Sequence, residues 1–112
     1  VGVINQRYLV RLKGKYQELE VSSNFVSLKV AVHCPFEAGK WYTLKTRVDV
    51  FPNGTGVVRA KCWPRGGEEP AGWTIEVPHQ HAHRNGAAGL HGFTIQNRFK
   101  AFVDNLSVTP NE

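Results

Sequence analysis

Trp41-Tyr42-Thr43-Leu44-Lys45-Thr46-Arg47-Val48-Asp49-Val50-Phe51, then Pro52-Asn53-Gly54-Thr55-Gly56, then Val57-Val58-Arg59-Ala60-Lys61-Cys62-Trp63-Pro64, are two runs of alternating polarity around a cluster of turn formers. Alternation with a period of two marks strands that bury one face, and Pro, Asn and Gly between them mark a reversal. The stretch is predicted to be a β-hairpin. A strict two-residue turn at Asn53-Gly54 would set Val48 against Arg59 and Arg47 against Ala60. A five-residue loop from Pro52 to Gly56 repairs the mismatch. Val48 then meets Ala60, Val50 meets Val58 and Thr46 meets Cys62, while Asp49 meets Arg59 on the other face. That register turns Leu44 and Cys62 toward the core.

The same period extends outward in both directions, and no window of helical length carries a sustained 3.6-residue pattern. Tyr8, Val10 and Leu12 alternate with polar neighbours, and Leu19 and Val21 do so after Gly14-Lys15. A two-residue turn there places Arg11 opposite Glu18, Val10 opposite Leu19 and Tyr8 opposite Val21. A third strand carries Val26, Leu28, Val30, Val32 and Cys34 on one face. Beyond the hairpin, strands are expected over Trp73–Val77, Leu90–Ile95 and Phe99–Val108, with Pro78–Gly89 as the longest irregular segment. About eight strands separated by turn signals predict an all-β chain, an antiparallel β-sandwich or jelly roll.

A chain of 112 residues is one domain, residues 1–112. It contains no apolar run long enough to span a membrane as a helix. Its first residues lack the basic start and apolar stretch of a secretory leader. No Met is present and the chain starts at Val1, which points to a piece of a longer protein. Fourteen Lys and Arg against nine Asp and Glu give a net charge of +5. The cations are scattered singly along alternating strands, which describes a solvated basic surface and gives no reason to expect nucleic acid. Cys34 and Cys62 match no metal or haem spacing. Both are read as inward, and either a disulfide or two unlinked core thiols satisfies that placement.

Several phrases together carry a resemblance: Gly39-Lys40-Trp41-Tyr42-Thr43-Leu44-Lys45, Val58-Arg59-Ala60-Lys61-Cys62-Trp63-Pro64, Glu69-Pro70-Ala71-Gly72-Trp73, Gly86-Ala87-Ala88-Gly89-Leu90 and Phe102-Val103-Asp104-Asn105-Leu106-Ser107-Val108. In this order they resemble the later half of the concanavalin A-like lectin/glucanase superfamily. The resemblance is nearest to laminin-G-like and 3-keto-disaccharide-hydrolase-like modules, as found at the C-terminus of quinoprotein-type β-propeller proteins. It implies a concanavalin A-like sandwich, incomplete because members run longer, within a secreted, periplasmic or cell-surface protein. It also implies a structural calcium held by an Asp on the last strand, a position that Asp104 resembles.

The candidate binding face follows from the hairpin register. Trp63 shares a polar face with Lys45, Arg47, Arg59 and Lys61, and Trp41 begins its strand on that face. Aromatic rings stack on sugar faces while flanking polar groups fix the hydroxyls. The competing expectation is that Trp41, Trp63 and Trp73 pack under loops or against strands that lie outside this piece of the sandwich. His79, His81 and His83 alternate, so three imidazoles can converge on a transition metal if that segment is extended. Catalysis finds little support. Glu68 and Glu69 are adjacent and point apart in an extended chain, unlike the flanking carboxylates of a glycosidase. Asn53 and Asn105 each begin a glycosylation sequon. The reading is a non-catalytic carbohydrate- or surface-polymer-binding module. A docking domain packed on a partner such as a β-propeller, or a fragment of a glycoside-hydrolase-like enzyme, are the alternatives.

Overall fold

The computed structural model describes residues 2–13, 16–23, 27–37, 39–91, 103, 105–109 and 111. Its strands are β1 (Gly2–Asn5), β2 (Tyr8–Lys13), β3 (Glu18–Ser23), β4 (Leu28–His33), β5 (Tyr42–Val50), β6 (Gly56–Pro64), β7 (Ile75–His79) and β8 (Gly89–His91). They form a five-stranded sheet in the order β4-β3-β2-β1-β8 and a three-stranded sheet in the order β5-β6-β7. Neighbours are antiparallel throughout both sheets. The chain meanders through four strands, crosses to the second sheet for three more, and returns beside β1. This is the all-β, antiparallel sandwich that the alternation implied.

The core lies between the sheets. Tyr8, Val10, Leu19 and Val21 enter it from the larger sheet, and Val48, Val58, Ala60, Ile75 and Val77 from the smaller. Val3, Leu12, Leu28, Val32, Cys34, Leu44 and Val50 pack around them. Each fully buried Leu, Ile or Val contributes roughly 1.5–3 kcal/mol relative to exposure, so this double row is the main force joining the sheets.

Four expectations need correction. The hairpin β2–β3 pairs Val10 with Val21, Arg11 with Glu20 and Leu12 with Leu19. The shorter turn is two residues out of register because the ladder closes at Lys13 and Glu18, with Gln17 in a left-handed conformation at φ 52°. In β5–β6, Val48 faces Val58, Thr46 faces Ala60 and Leu44 faces Cys62. Here the amide of Gly54 donates to Phe51 O at 2.9 Å and that of Phe51 donates to Thr55 O at 2.8 Å. The turn is thus tight, with Gly54 at φ 88° taking the left-handed position that follows a type I turn. Asn53 Oδ1 accepts from the amide and hydroxyl of Thr55 at 3.1 and 2.7 Å, which fixes the reversal. Both slips are of two residues, so every side chain keeps its face.

The third correction concerns β7, which runs Ile75–His79 with Pro78 inside it. Pro lacks an amide hydrogen and is tolerated because β7 is the edge strand of its sheet. The fourth concerns the ends of the chain. β1 was not expected, because its turn Gln6-Arg7 has both residues at positive φ, 47° and 68°, without the Asn-Gly that usually marks such turns. Conversely, Val103 and residues 105–109 lie outside any strand, and Asn105 at φ 54° interrupts the extended chain expected there. The rest of the expected Leu90–Ile95 strand beyond His91, and residues 99–102, lie outside the described residues.

Candidate binding face

The outer face of the three-stranded sheet carries the charged residues that the sequence placed together. Thr43 stands opposite Trp63, Lys45 opposite Lys61 and Arg47 opposite Arg59, with Glu76 beside Arg59 on β7. Two pairs of like charges directly across a ladder destabilise it unless acids intervene. Three acids do. Asp49 accepts from Arg47 Nε at 2.9 Å and from Arg59 Nη1 at 2.8 Å. Glu76 accepts from Arg59 Nε at 3.1 Å. Glu69 reaches in from the loop after β6 and bridges Lys61 at 2.8 Å and Lys45 at 3.2 Å. Hydrogen bonds from Lys61 and then Lys45 hold the Glu69 carboxyl below the usual carboxylate range. It is ionised at neutral pH and is no proton donor.

The loop that delivers Glu69 begins with a tight turn. The amide of Gly67 donates to Pro64 O at 3.0 Å, and Gly66 takes φ 86°, the left-handed third position of a type II turn. The returning chain buries Lys61, which is only 4% exposed. Its ammonium donates to Pro70 O at 2.6 Å. That ammonium lies 4.7 Å from the ring centre of Trp73 and 5.9 Å from that of Trp63. A Lys between an acid and two indoles is held by charge pairing and cation–π attraction at once. Trp63 is therefore half-buried support rather than an open platform. Trp41 differs: it is 46% exposed, its carbonyl accepts from the amide of Arg65 at 2.9 Å, and the Arg65 guanidinium lies 5.4 Å from its ring centre.

The sequence placed Trp63, Lys45, Arg47, Arg59 and Lys61 on one face of one sheet, as the strand pairing has them, while Trp41 stands just before β5, against Arg65. It missed Glu69, Arg65 and Trp73 as parts of the same cluster. The Pro-Arg-Gly-Gly turn was the available signal that this loop folds back onto its own strand.

The three histidines do not converge. His79 Nδ1 lies 2.6 Å from the Tyr8 hydroxyl, His83 Nε2 lies 2.9 Å from Ser23 Oγ, and His81 is exposed. The His83 amide donates to the Tyr8 hydroxyl at 3.1 Å, so the segment is turned rather than extended. Burial, then the nearby His79 and Arg7, pushes the His83 imidazole below its ordinary value. Burial raises Tyr8. Among the described residues no three His, Cys, Asp or Glu side chains are grouped to hold a metal ion. Asp104, the calcium candidate, lies outside the described residues.

Cys34 and Cys62 are free thiols, and burial pushes both above their ordinary value, Cys62 to about 12. No family model matches the chain, and neither does any curated protein or solved structure.

Proposed function

We propose that this chain is a non-catalytic binding module that takes up a carbohydrate or another hydroxyl-rich surface polymer on the outer face of its three-stranded sheet. The observation carrying this reading is the exposed indole of Trp41, placed beside a polar field whose charges are already paired. A flat ring open to solvent offers a stacking surface. Lys45 and Glu69, 49% and 44% exposed, stand ready to exchange solvent for ligand hydroxyls. Four strand cations against three carboxylates leave little excess charge, which suits a neutral polyol better than a polyanion. The resemblance to the concanavalin A-like superfamily supports the same class of ligand and an exported or cell-surface setting.

The docking alternative draws on Val30, Leu90, Leu106 and Val108, which are 39%, 47%, 55% and 69% exposed. They are dispersed over both edges and the chain end, so they weigh less than a ring set among ordered polar partners. A glycan array probed with the wild type, Trp41→Ala and Trp63→Ala, each checked for a folded near-ultraviolet spectrum, separates the readings. Saturable binding abolished by Trp41→Ala supports the module. No binding by the folded wild type refutes it and leaves the docking reading.

A further inference from the structure

We propose that residues 80–86 form an acid-released strap, held closed by the neutral imidazoles of His79 and His83 and let go when either takes up a proton. The strap leaves β7 at His79 and closes the end of the β5–β6 hairpin remote from Trp41, so it is a device separate from the candidate binding face. Hydrogen bonds fasten it to both sheets. The Ala82 amide donates to Gly54 O at 3.0 Å, in the turn between β5 and β6. Gln6, in the turn between β1 and β2, donates through Nε2 to His83 O at 2.8 Å. The His83 amide donates to the Tyr8 hydroxyl on β2 at 3.1 Å, and His83 Nε2 lies 2.9 Å from Ser23 Oγ on β3. The fit is close. A Cβ on Gly86 would lie 2.7 Å from Gln6 Cα, and one on Gly56 2.6 Å from Ala82 Cβ.

Tyr8 joins the two imidazoles. Its oxygen accepts from the His83 amide, and His79 Nδ1, 2.6 Å away, takes the phenolic hydrogen. That arrangement assigns the hydrogen of neutral His79 to Nε2. A proton arriving at Nδ1 turns the acceptor into a donor and leaves the hydroxyl of a fully buried Tyr8 without it. His83 resists a proton for a different reason. Tyr8, Ser23, His79 and Arg7 face it from β2, β3, β7 and the β1–β2 turn. The Tyr8 ring centre is 4.6 Å from that of His83, and His79 stands edge-on at 5.7 Å. Burial, then His79 and Arg7, favour the uncharged His83 ring. Once the strap lifts, both imidazoles meet water and take up protons readily, so acid favours the open form. The hold of His83 on the strap is complete above about 6.5 and is lost as pH falls through its lower folded value.

Native-state hydrogen exchange at pH 7.5 and pH 5.5, with each rate referred to an unstructured peptide at the same pH, tests the strap. Protection of the Ala82 and His83 amides should fall in acid, by up to about tenfold for each imidazole that must lose a proton to close, since pH 5.5 is about one unit below 6.5. Their exchange should depend little on low concentrations of urea, the sign of a local opening, while amides of the β6–β7 ladder accelerate steeply. In His83→Gln the acid-induced fall should be smaller, because His79 alone is left to titrate. The proposal is overturned if the strap amides are equally protected at both pH values. It is also overturned if they follow urea as steeply as the ladder, which would mean that the strap opens only with the whole sandwich, or if folded His83→Gln shows an equal fall.

Discussion

Replacing Glu20 with Gln isolates the electrostatic contribution of one carboxylate to the larger sheet. Glu20 projects from the outer face of β3 yet is fully buried, because the aliphatic stems of its basic neighbours close over it. Arg11 donates to Oε1 through Nε at 2.9 Å and through Nη2 at 2.8 Å. Lys13 reaches Oε2 at 3.2 Å and Lys29 stands 3.9 Å away. Burial alone would raise this carboxyl, but the bonds from Arg11 and Lys13 outweigh it and hold it below its ordinary value. Gln preserves the volume and removes the charge. A hydrogen bond to a charged group contributes about 1.5–3 kcal/mol, and breaking a fully buried pair costs about 3–5 kcal/mol. Arg11 and Lys13 remain 31% and 22% exposed. They recover hydration when the charge is lost, which brings the expected cost down to about 2 kcal/mol. Urea unfolding at pH 7 with linear extrapolation measures it. Glu18→Gln, on the same strand and face, is the control and should change stability by less than about 0.5 kcal/mol. The wild-type advantage should vanish as acid protonates Glu20 and Gln gains nothing. A Glu20→Gln variant within about 0.5 kcal/mol of wild type would refute the reasoning, showing that the cluster merely covers the carboxylate.

Gly56→Ala should destabilise the chain by about 1–3 kcal/mol, because a Cβ there would lie 2.6 Å from Ala82 Cβ and 2.7 Å from Asp49 O; an unchanged urea midpoint would contradict this packing. The depressed His83 pKa makes stability depend on pH in a set direction. The unfolded imidazole protonates near its ordinary 6.5 and the folded one only at lower pH, so the contribution is present above 6.5 and is lost as pH falls through the folded value. Thermal midpoints should therefore drop from pH 7.5 to pH 5.5, the drop should shrink in His83→Gln, and equal slopes in the two proteins would reject the assignment. If a saccharide ligand is found, its affinity should change less than about threefold between 50 and 500 mM salt, since the strand cations are already paired; a steep decline would indicate a polyanionic ligand instead.

Much of this fold could be read from alternation because a period of two is insensitive to the errors a reader makes most easily. Both hairpins were placed two residues out of register, yet Val10, Val21, Val48, Val58 and Cys62 all kept their inward face. What alternation does not encode is the chemistry of a particular turn. Gln6-Arg7 adopts two positive φ angles without glycine, so the short β1 left no mark. Pro78 read as a strand terminator, though an edge strand accepts it. For the candidate face, the strand residues were legible and the loop residues were not. Glu69 reads only as one of two adjacent acids that point apart, because its partners, Lys45 and Lys61, lie far back in sequence and only the hairpin brings them together.

The ion pairs also change what the net charge of +5 means. A scattered excess of Lys and Arg could support a polyanion site only if the cations pointed together and lacked partners. On the larger sheet three of them converge on the single carboxylate of Glu20. On the smaller sheet Asp49, Glu69 and Glu76 interleave with Lys45, Arg47, Arg59 and Lys61. On the smaller sheet the acids let the like-charged pairs Lys45–Lys61 and Arg47–Arg59 lie side by side, while on the larger sheet Arg11 faces Glu20 directly across the ladder. Selection at the candidate face must then come from shape and from the faces of its indoles. All three rings face a cation, Trp63 and Trp73 that of Lys61 and Trp41 that of Arg65; Trp41 is the one of the three that is exposed, so the proposed ligand would stack there.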